Sequence, residues 1–326
     1  MTIWHHISPD IIHAHDFDSA YMGLMLKTAF ETPLIFTYHR APNPWKDFKF
    51  QEDAKDCFLE VARIYNFFDS VVVPSKINRD ILIAQKFNPQ KIKIIKHGVE
   101  IKFLSSFAEK ESILARIGFD SSKTMIMCPI RFDSHKNAEV FLKAASVLKK
   151  ETPNEKFIFV LTDKPEGFYD HIPGMASKLG LGVGSDLFLE QFGFKEMKTL
   201  YKNAAVCVVP SLQESFGQTV IESFVYKTPV IASNSGALPE IIKHKKNGLL
   251  FTPNSHEDLV AQVRTILSNP DLSKRLVENA LEDAKTNYTS ERMITEYIDL
   301  YEEVIKKKAA CRGLRFRTHP SSKSLI

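Results

Sequence analysis

Twice along this chain, short runs rich in Val, Ile and Phe alternate with segments of helical period, and this alternation limits the fold more than any other feature. An apolar run, a helical stretch and a second apolar run make a βαβ unit, whose parallel strands are buried on both faces. The first series comprises "PDIIHAH", "PLIFTYH", "DSVVVPS" and "KIKIIKHGV", with "SAYMGLMLKTAFE" and "INRDILIAQKF" as intervening helices, so about four strands are expected in residues 10–97. The second comprises "KTMIMCPIRF", "KFIFVLT", "DLFLEQFGF", "AAVCVVPS", "TPVIAS" and "NGLLFTP", with "NAEVFLKAASVLKK" and "DLVAQVRTIL" as its clearest helices. Six strands alternating with helices complete a doubly wound sheet. From Pro270 onward the pattern is helical. The expected division is a partial first α/β domain over residues 1–100, a polar linker over 101–121, a complete α/β domain over 122–290, a helix over 291–308 and a basic disordered tail over 309–326.

Charge and cysteine usage exclude several classes of function. The net charge of +4 is carried by the end of the chain, because residues 306–326 hold seven Lys or Arg and no acidic residue. Without them the remainder stands at −3, a mildly acidic body that argues against nucleic acid as a partner. The tail, "KKKAACRGLRFRTHPSSKSLI", lacks periodicity and reads as an unstructured end, with an anchor to anionic membrane as the functional alternative. No apolar run approaches the ~18–20 residues that span a bilayer. Cys57, Cys128, Cys207 and Cys311 show no paired spacing and read as reduced thiols of a cytoplasmic protein.

Chemistry concentrates in "VVPSLQESFGQTVIESF", where Glu214 and Glu222 bracket a Phe-Gly turn after an apolar strand. Glu214 is thus expected in a loop at the carboxyl end of a parallel strand, where open α/β sheets bind ligands. Gly217 permits close backbone approach, and the amides of Gly217, Gln218 and Thr219 open a helix N-terminus suited to an anion. Glu222 falls about one turn later. Carboxylates only accept hydrogen bonds, so beside a phosphate site they suit the hydroxyls of a sugar or ribose. A sugar nucleotide offers both groups. The neighbouring "PIRFDSHKN" supplies Arg131 and Lys136, cations that would stabilise a diphosphate as it leaves. "HDFDS", with Asp16 and Asp18 on a turn into a helix, is a poor metal site, and His5, His6, His13 and His15 lack the spacing of a zinc site.

These residues carry a resemblance. Across most of its length the sequence resembles the retaining glycosyltransferases of family 4, which have the GT-B fold: α/β, two Rossmann-like doubly wound domains facing a cleft. The Glu-x7-Glu motif appears as "ESFGQTVIE" and the Arg-x4-Lys pair as "RFDSHK", with "HAHD", "FTYH", "KHGVE", "GALPEII" and "NGLLFTP" following the family's order. The resemblance implies transfer of a sugar from a nucleoside-diphosphate-sugar donor to an acceptor hydroxyl with retention at the anomeric carbon, without a cofactor or a required metal. It implies that Glu214 holds the donor sugar's hydroxyls beside the backbone of Ser215, Phe216 and Gly217, that Glu222 grips the ribose, and that Arg131 and Lys136 bind the diphosphate. His39 and Asp16 match groups near the reacting carbon, Gly193 and Phe194 lie toward the nucleobase, and Gly236 belongs to the donor pocket. No residue of the set is an obvious covalent nucleophile, so a front-face reaction is implied, in which the leaving diphosphate helps deprotonate the acceptor.

Three departures from the family stand out. Its N-terminal strands and glycine-rich loop have no counterpart before "PDIIHAHD", so the first domain is expected to be incomplete by roughly 80 residues of an ordinary domain. A separate N-terminal chain that completes it is one implied partner, and an inactive subunit that retains donor binding is the alternative function. The glycines flanking the Arg-Lys loop are replaced by Ile130 and Asn137, and "VLTDKPEGF" lacks a usual glycine pair.

Overall fold

The computed structural model describes residues 9–39, 64–106, 111–119, 122–129, 134–152, 156–161 and 171–311. These divide into two compact units, one built from the chain up to Lys96 together with residues from Met293 onward, the other from His97–Arg292.

In the first unit, β1 (Ile12–His15), β2 (Leu34–Thr37), β3 (Ser70–Val73) and β4 (Ile92–Ile94) form a parallel sheet in that order. Helix α1 (Asp16–Phe30) joins β1 to β2, and α2 (Lys76–Ala84) joins β3 to β4. Strands β2 and β3 are buried at every position because they are central and covered on both faces. Side chains alternate across the sheet. Leu34, Phe36, Val71 and Val73 enter one core with Phe68 and Leu82, while Ile35 and Val72 face the other way. That second face packs against Met293, Tyr297, Leu300, Tyr301 and Val304, a stripe at helical spacing.

The second unit holds β5 (Lys123–Cys128), β6 (Lys156–Leu161), β7 (Leu187–Leu189), β8 (Ala204–Val209), β9 (Val230–Ser233) and β10 (Leu249–Phe251). All pairings are parallel, in the order β10-β9-β8-β5-β6-β7. The polar stretch expected to be a linker over 101–121 instead holds α3 (Ile101–Ser106) and α4 (Glu111–Arg116), which belong to this unit. The correction has a simple cause: Leu104, Ile113 and Ile117 are buried in the same core as Val220 and Phe224, so the segment has an apolar side to hide. Helices α5 (Ala138–Glu151) and α6 (His171–Lys178) follow β5 and β6, and α7 (Phe194–Asn203) leads into β8. After them come α8 (Gln218–Val225), α9 (Leu238–Ile241), α10 (His256–Leu267) and α11 (Pro270–Asn287).

The ends of this unit are tied by a parallel bridge between Val99 and Thr289. Gly98 is required there, since a Cβ would stand 2.4 Å from the Thr289 carbonyl oxygen. The last helix, α12 (Ser290–Cys311), begins at this tie and carries the apolar stripe of the first unit. It extends past the helix expected over 291–308 and takes in the first residues of the expected tail; residues 312–326 lie outside the described residues. No helix among the described residues is long and apolar enough to cross a membrane.

Candidate functional site

The second unit's sheet reverses direction between β5 and β8, and the chain segments after these two strands build the site. Residues 210–217, after β8, are fixed from both sides. The Leu212 amide donates to the His135 carbonyl at 2.7 Å, in the turn Ser134–Lys136 that follows β5. On the other side, Ser233 and Ser235 donate their hydroxyls to the carbonyls of Ser211 and Leu212, and the Ala237 amide donates to the Glu214 carbonyl at 2.8 Å. Gly236 makes that approach possible, with φ +57° and space for no side chain: a Cβ would lie 2.6 Å from the Glu214 nitrogen. Gly217, at φ +103°, then turns the chain into α8 as its N-terminal cap.

This framework brings Lys136 and Glu214 together. Lys136 Nζ donates to Glu214 Oε2 at 2.5 Å, with both side chains about one-fifth exposed. A partly buried, charge-assisted contact of this kind is stronger than a surface ion pair. Glu222 stands on the second turn of α8, partly buried, and accepts a 3.0 Å hydrogen bond from the Tyr201 hydroxyl. Burial raises the Glu222 pKa, an effect that the Tyr201 bond opposes. Tyr201 is fully buried and stacks on Tyr226 at 5.2 Å, so it fixes the carboxylate from inside the core. Gln218 is exposed and Thr219 partly so at the start of α8. Ser215 is partly exposed in the preceding loop. Phe216 is a core side chain, edge-on to His97 at 5.0 Å, which leaves only its backbone to serve a ligand.

Other expected members are differently placed. Arg131 lies outside the described residues. Gly193 caps α7, and its amide donates to Glu196 Oε2 at 2.6 Å, so that amide is committed within the protein. The same Glu196 lies 3.8 Å from Arg116, which pairs with Glu190 at 2.9 Å and rests over the Phe192 ring. Phe194 begins α7. A cleft of about 630 Å³ opens at the amino ends of β8 and β9, beside Ala204, Pro229 and Ile266, at the opposite end of these strands from Glu214.

In the first unit, Asp16 and His39 meet at the carboxyl ends of β1 and β2. The Asp16 carboxylate accepts the His39 backbone amide at 3.0 Å, and Asp16 itself takes φ +56°, a left-handed conformation uncommon outside glycine. His39 Nε2 lies 2.9 Å from His15 Nδ1. Behind them His13 contacts the Tyr301 hydroxyl and Thr37 Oγ1, each at 2.7 Å. Burial, then the neighbouring His15 and His39, lower the His13 pKa to about 4. Sequence reasoning treated His13 and His15 only as metal ligands. Their spacing of two along a strand was the available signal, because it sets both rings on one side. No group of acidic, His or Cys side chains among the described residues is arranged to hold a metal ion.

The family model for glycosyl transferases group 1 matches residues 109–283, and that for glycosyltransferase family 4 matches residues 2–103. The chain belongs to the group 1 glycosyl transferases. This glycosyl transferase is 26% identical over 297 residues to an uncharacterized glycosyltransferase of Methanocaldococcus jannaschii, covering 90% of the present chain and 75% of that relative. It is 24% identical over 292 residues to the D-inositol 3-phosphate glycosyltransferase of Corynebacterium glutamicum, covering 86% and 69% of the two chains. Among solved structures, sucrose-phosphate synthase from Thermosynechococcus elongatus matches with a TM-score of 0.78 at 24% identity, over 91% of this chain and 74% of that one. Anabaena HepE, solved with UDP and glucose, matches with a TM-score of 0.79 at 16% identity, over 90% and 78%. These structural likenesses show the GT-B fold, as its two parallel sheets require.

Proposed function

We propose that this glycosyl transferase moves a sugar from a nucleoside-diphosphate-sugar to an acceptor hydroxyl, with retention at the anomeric carbon. The observation that carries the reading is the Lys136–Glu214 pair at the point where the strand order of the second unit reverses. There the site offers a cation for phosphate, a carboxylate for hydroxyls and the opening amides of α8 for a second phosphate oxygen. Glu222, held by Tyr201, accepts from the ribose, and Arg131 joins Lys136 on the diphosphate. The backbones of Ser215, Phe216, Gly217, Gln218 and Thr219 line the donor, with Gly236 closing the turn behind Glu214. With the Gly193 amide committed to Glu196, contact with the nucleobase falls to other groups near the start of α7.

As the bond from the anomeric carbon to the diphosphate oxygen breaks, its electron pair stays on that oxygen. Lys136 and the α8 amides then interact more strongly than in the ground state, which is the differential stabilisation that catalysis needs. Because protein cations meet this charge, the proposed transfer requires no metal. His39, its backbone anchored on Asp16, serves the transfer step. HepE and the D-inositol 3-phosphate enzymes support this reading through the ligands and substrate in their names.

The test is incubation of the full chain with a panel of nucleoside-diphosphate-sugars and hydroxyl acceptors, with chelator present. Release of nucleoside diphosphate should accompany product of unchanged anomeric configuration, read by NMR. Nucleoside-diphosphate binding without consumption of any donor would overturn the transferase reading. Inverted product would overturn retention alone.

A further inference from the structure

The rings gathered at the carboxyl ends of β1 and β2 do more than place His39. His15 Nδ1 and His39 Nε2 are 2.9 Å apart, with ring centroids at 5.1 Å and planes within 11° of parallel. Two imidazole nitrogens this close hold one proton between them: one donates and the other accepts. Each ring keeps one outer nitrogen, Nε2 on His15 and Nδ1 on His39. We infer that His15 and His39 act as one proton-relaying pair, in which His15 sets the tautomer of His39 and passes on the proton that His39 takes up.

The steps balance. In the starting tautomer His39 carries its proton on Nε2 and donates it to His15 Nδ1, so His15 carries its own on Nε2. A proton arriving at His39 Nδ1 lets the shared proton cross to His15 Nδ1, and His15 Nε2 releases its proton to water. The pair ends in the opposite tautomer with no net charge gained. It can hold one extra proton with the contact intact. A second would place two N–H groups against each other and break it.

The surroundings keep the proton in this pair. His13 lies against His15, with ring centroids 4.1 Å apart, but its own nitrogens are engaged by Tyr301 and Thr37, and burial keeps it neutral near physiological pH. Of the other groups here, the Tyr38 hydroxyl is buried and held protonated by that burial and by Asp16; Tyr297 and Tyr301 are held protonated mainly by burial. Asp16 supplies the nearby negative charge that favours protonation of His15, against burial and the neighbouring His39, which oppose it. Use of the relay in sugar transfer rests on the proposed function, in which the acceptor hydroxyl gives up a proton. The coupling of the two rings does not.

The experiment is imidazole ¹H–¹⁵N NMR of the full chain, labelled on histidine and titrated from about pH 5 to about pH 9. In the parent protein the two rings should respond together and take up one proton as a unit. His15→Phe should turn His39 into an independently titrating ring with a changed tautomer. His15→Asn keeps a single hydrogen-bonding group, so it should restore the His39 tautomer but not the relay. Its kcat should then fall by about 100-fold with little change in KM for the donor. Identical His39 resonances in the parent and His15→Phe proteins would overturn the coupling, and full kcat in His15→Asn would overturn the relay. Coupled rings in a chain that turns over no donor would refute the proposed function while leaving the coupling in place.

Discussion

Gly236→Ala separates backbone strain from close packing at the donor site. Gly236 and Gly180 both hold left-handed backbone, at φ +57° and +78°. They differ in their surroundings. A Cβ on Gly180 would meet nothing within 4 Å, whereas one on Gly236 would stand 2.6 Å from the Glu214 nitrogen and 2.8 Å from its carbonyl oxygen. Gly180→Ala should therefore cost only the left-handed conformation, about 1–2 kcal/mol. Gly236→Ala adds forced overpacking of about 1–3 kcal/mol, because a backbone neighbour cannot swing aside as a side chain can. If the loop yields, the carbonyl of Glu214 leaves the Ala237 amide and its carboxylate shifts from Lys136. The strain then surfaces as lost binding: a charged hydrogen bond of about 1.5–3 kcal/mol corresponds to roughly 10–100-fold weaker nucleoside-diphosphate affinity. Denaturant unfolding of both variants, with calorimetric titration of UDP as the probe, reads both quantities. Equal destabilisation by the two substitutions, together with unchanged affinity for Gly236→Ala, would refute the packing argument.

Three further outcomes are expected. Burial raises the Glu222 pKa above its unfolded value, so the stability this group contributes is full at low pH and falls as pH rises through the folded value. Glu222→Gln should therefore be more stable than the parent at neutral pH, by a margin that shrinks on acidification, while binding UDP more weakly; a less stable variant would contradict the desolvation account. Lys136→Met should weaken UDP binding by at least about tenfold and uridine binding much less, since the lost charge faces phosphate; equal losses for the two ligands would remove Lys136 from the diphosphate. His13, whose pKa is lowered from 6.5 to about 4, contributes stability that is present above about pH 6.5 and lost as pH falls toward 4. Acid unfolding of the first unit over that range should flatten in His13→Gln, measured by hydrogen exchange at β1 and β2.

The strands were the most legible part of this chain, because a parallel strand buried on both faces must be continuously apolar. Runs such as "SVVV" and "AAVCVV" leave little room for another reading. The segment over 101–121 misled because Leu104, Ile113 and Ile117 are few among polar neighbours, and only the core they enter shows their purpose. Likewise the stripe from Met293 to Val304 was visible as an amphipathic helix, but its partner strands lie some 200 residues earlier in the chain. Tyr201 was missed for a related reason. In α7 it reads as one more apolar residue, and its role depends on α7 and α8 placing the hydroxyl beside Glu222. Local pattern reports which side of an element is buried. It does not report which distant group waits there.

The pairing of Lys136 with Glu214 shows how strand order supplies that missing information. The two residues are 78 apart in sequence, yet their strands are neighbours because the order runs outward in both directions from β5 and β8. The helices that follow depart to opposite faces: α5 packs in the core that contains Ile126 and Val208, α8 in the core that contains Met127 and Cys207. Two chains leaving neighbouring strand ends in opposite directions cannot close over the gap between them, so a crevice is left at that point. Lys136 stands on one lip and Glu214 on the other. The contact between them therefore depends first on the topology and only then on the loop sequences. Substitutions within the loops, such as Asn137 in place of glycine before α5, can vary while the two charges still meet: Asn137 takes the left-handed conformation itself, at φ +55°, and α5 still begins at Ala138.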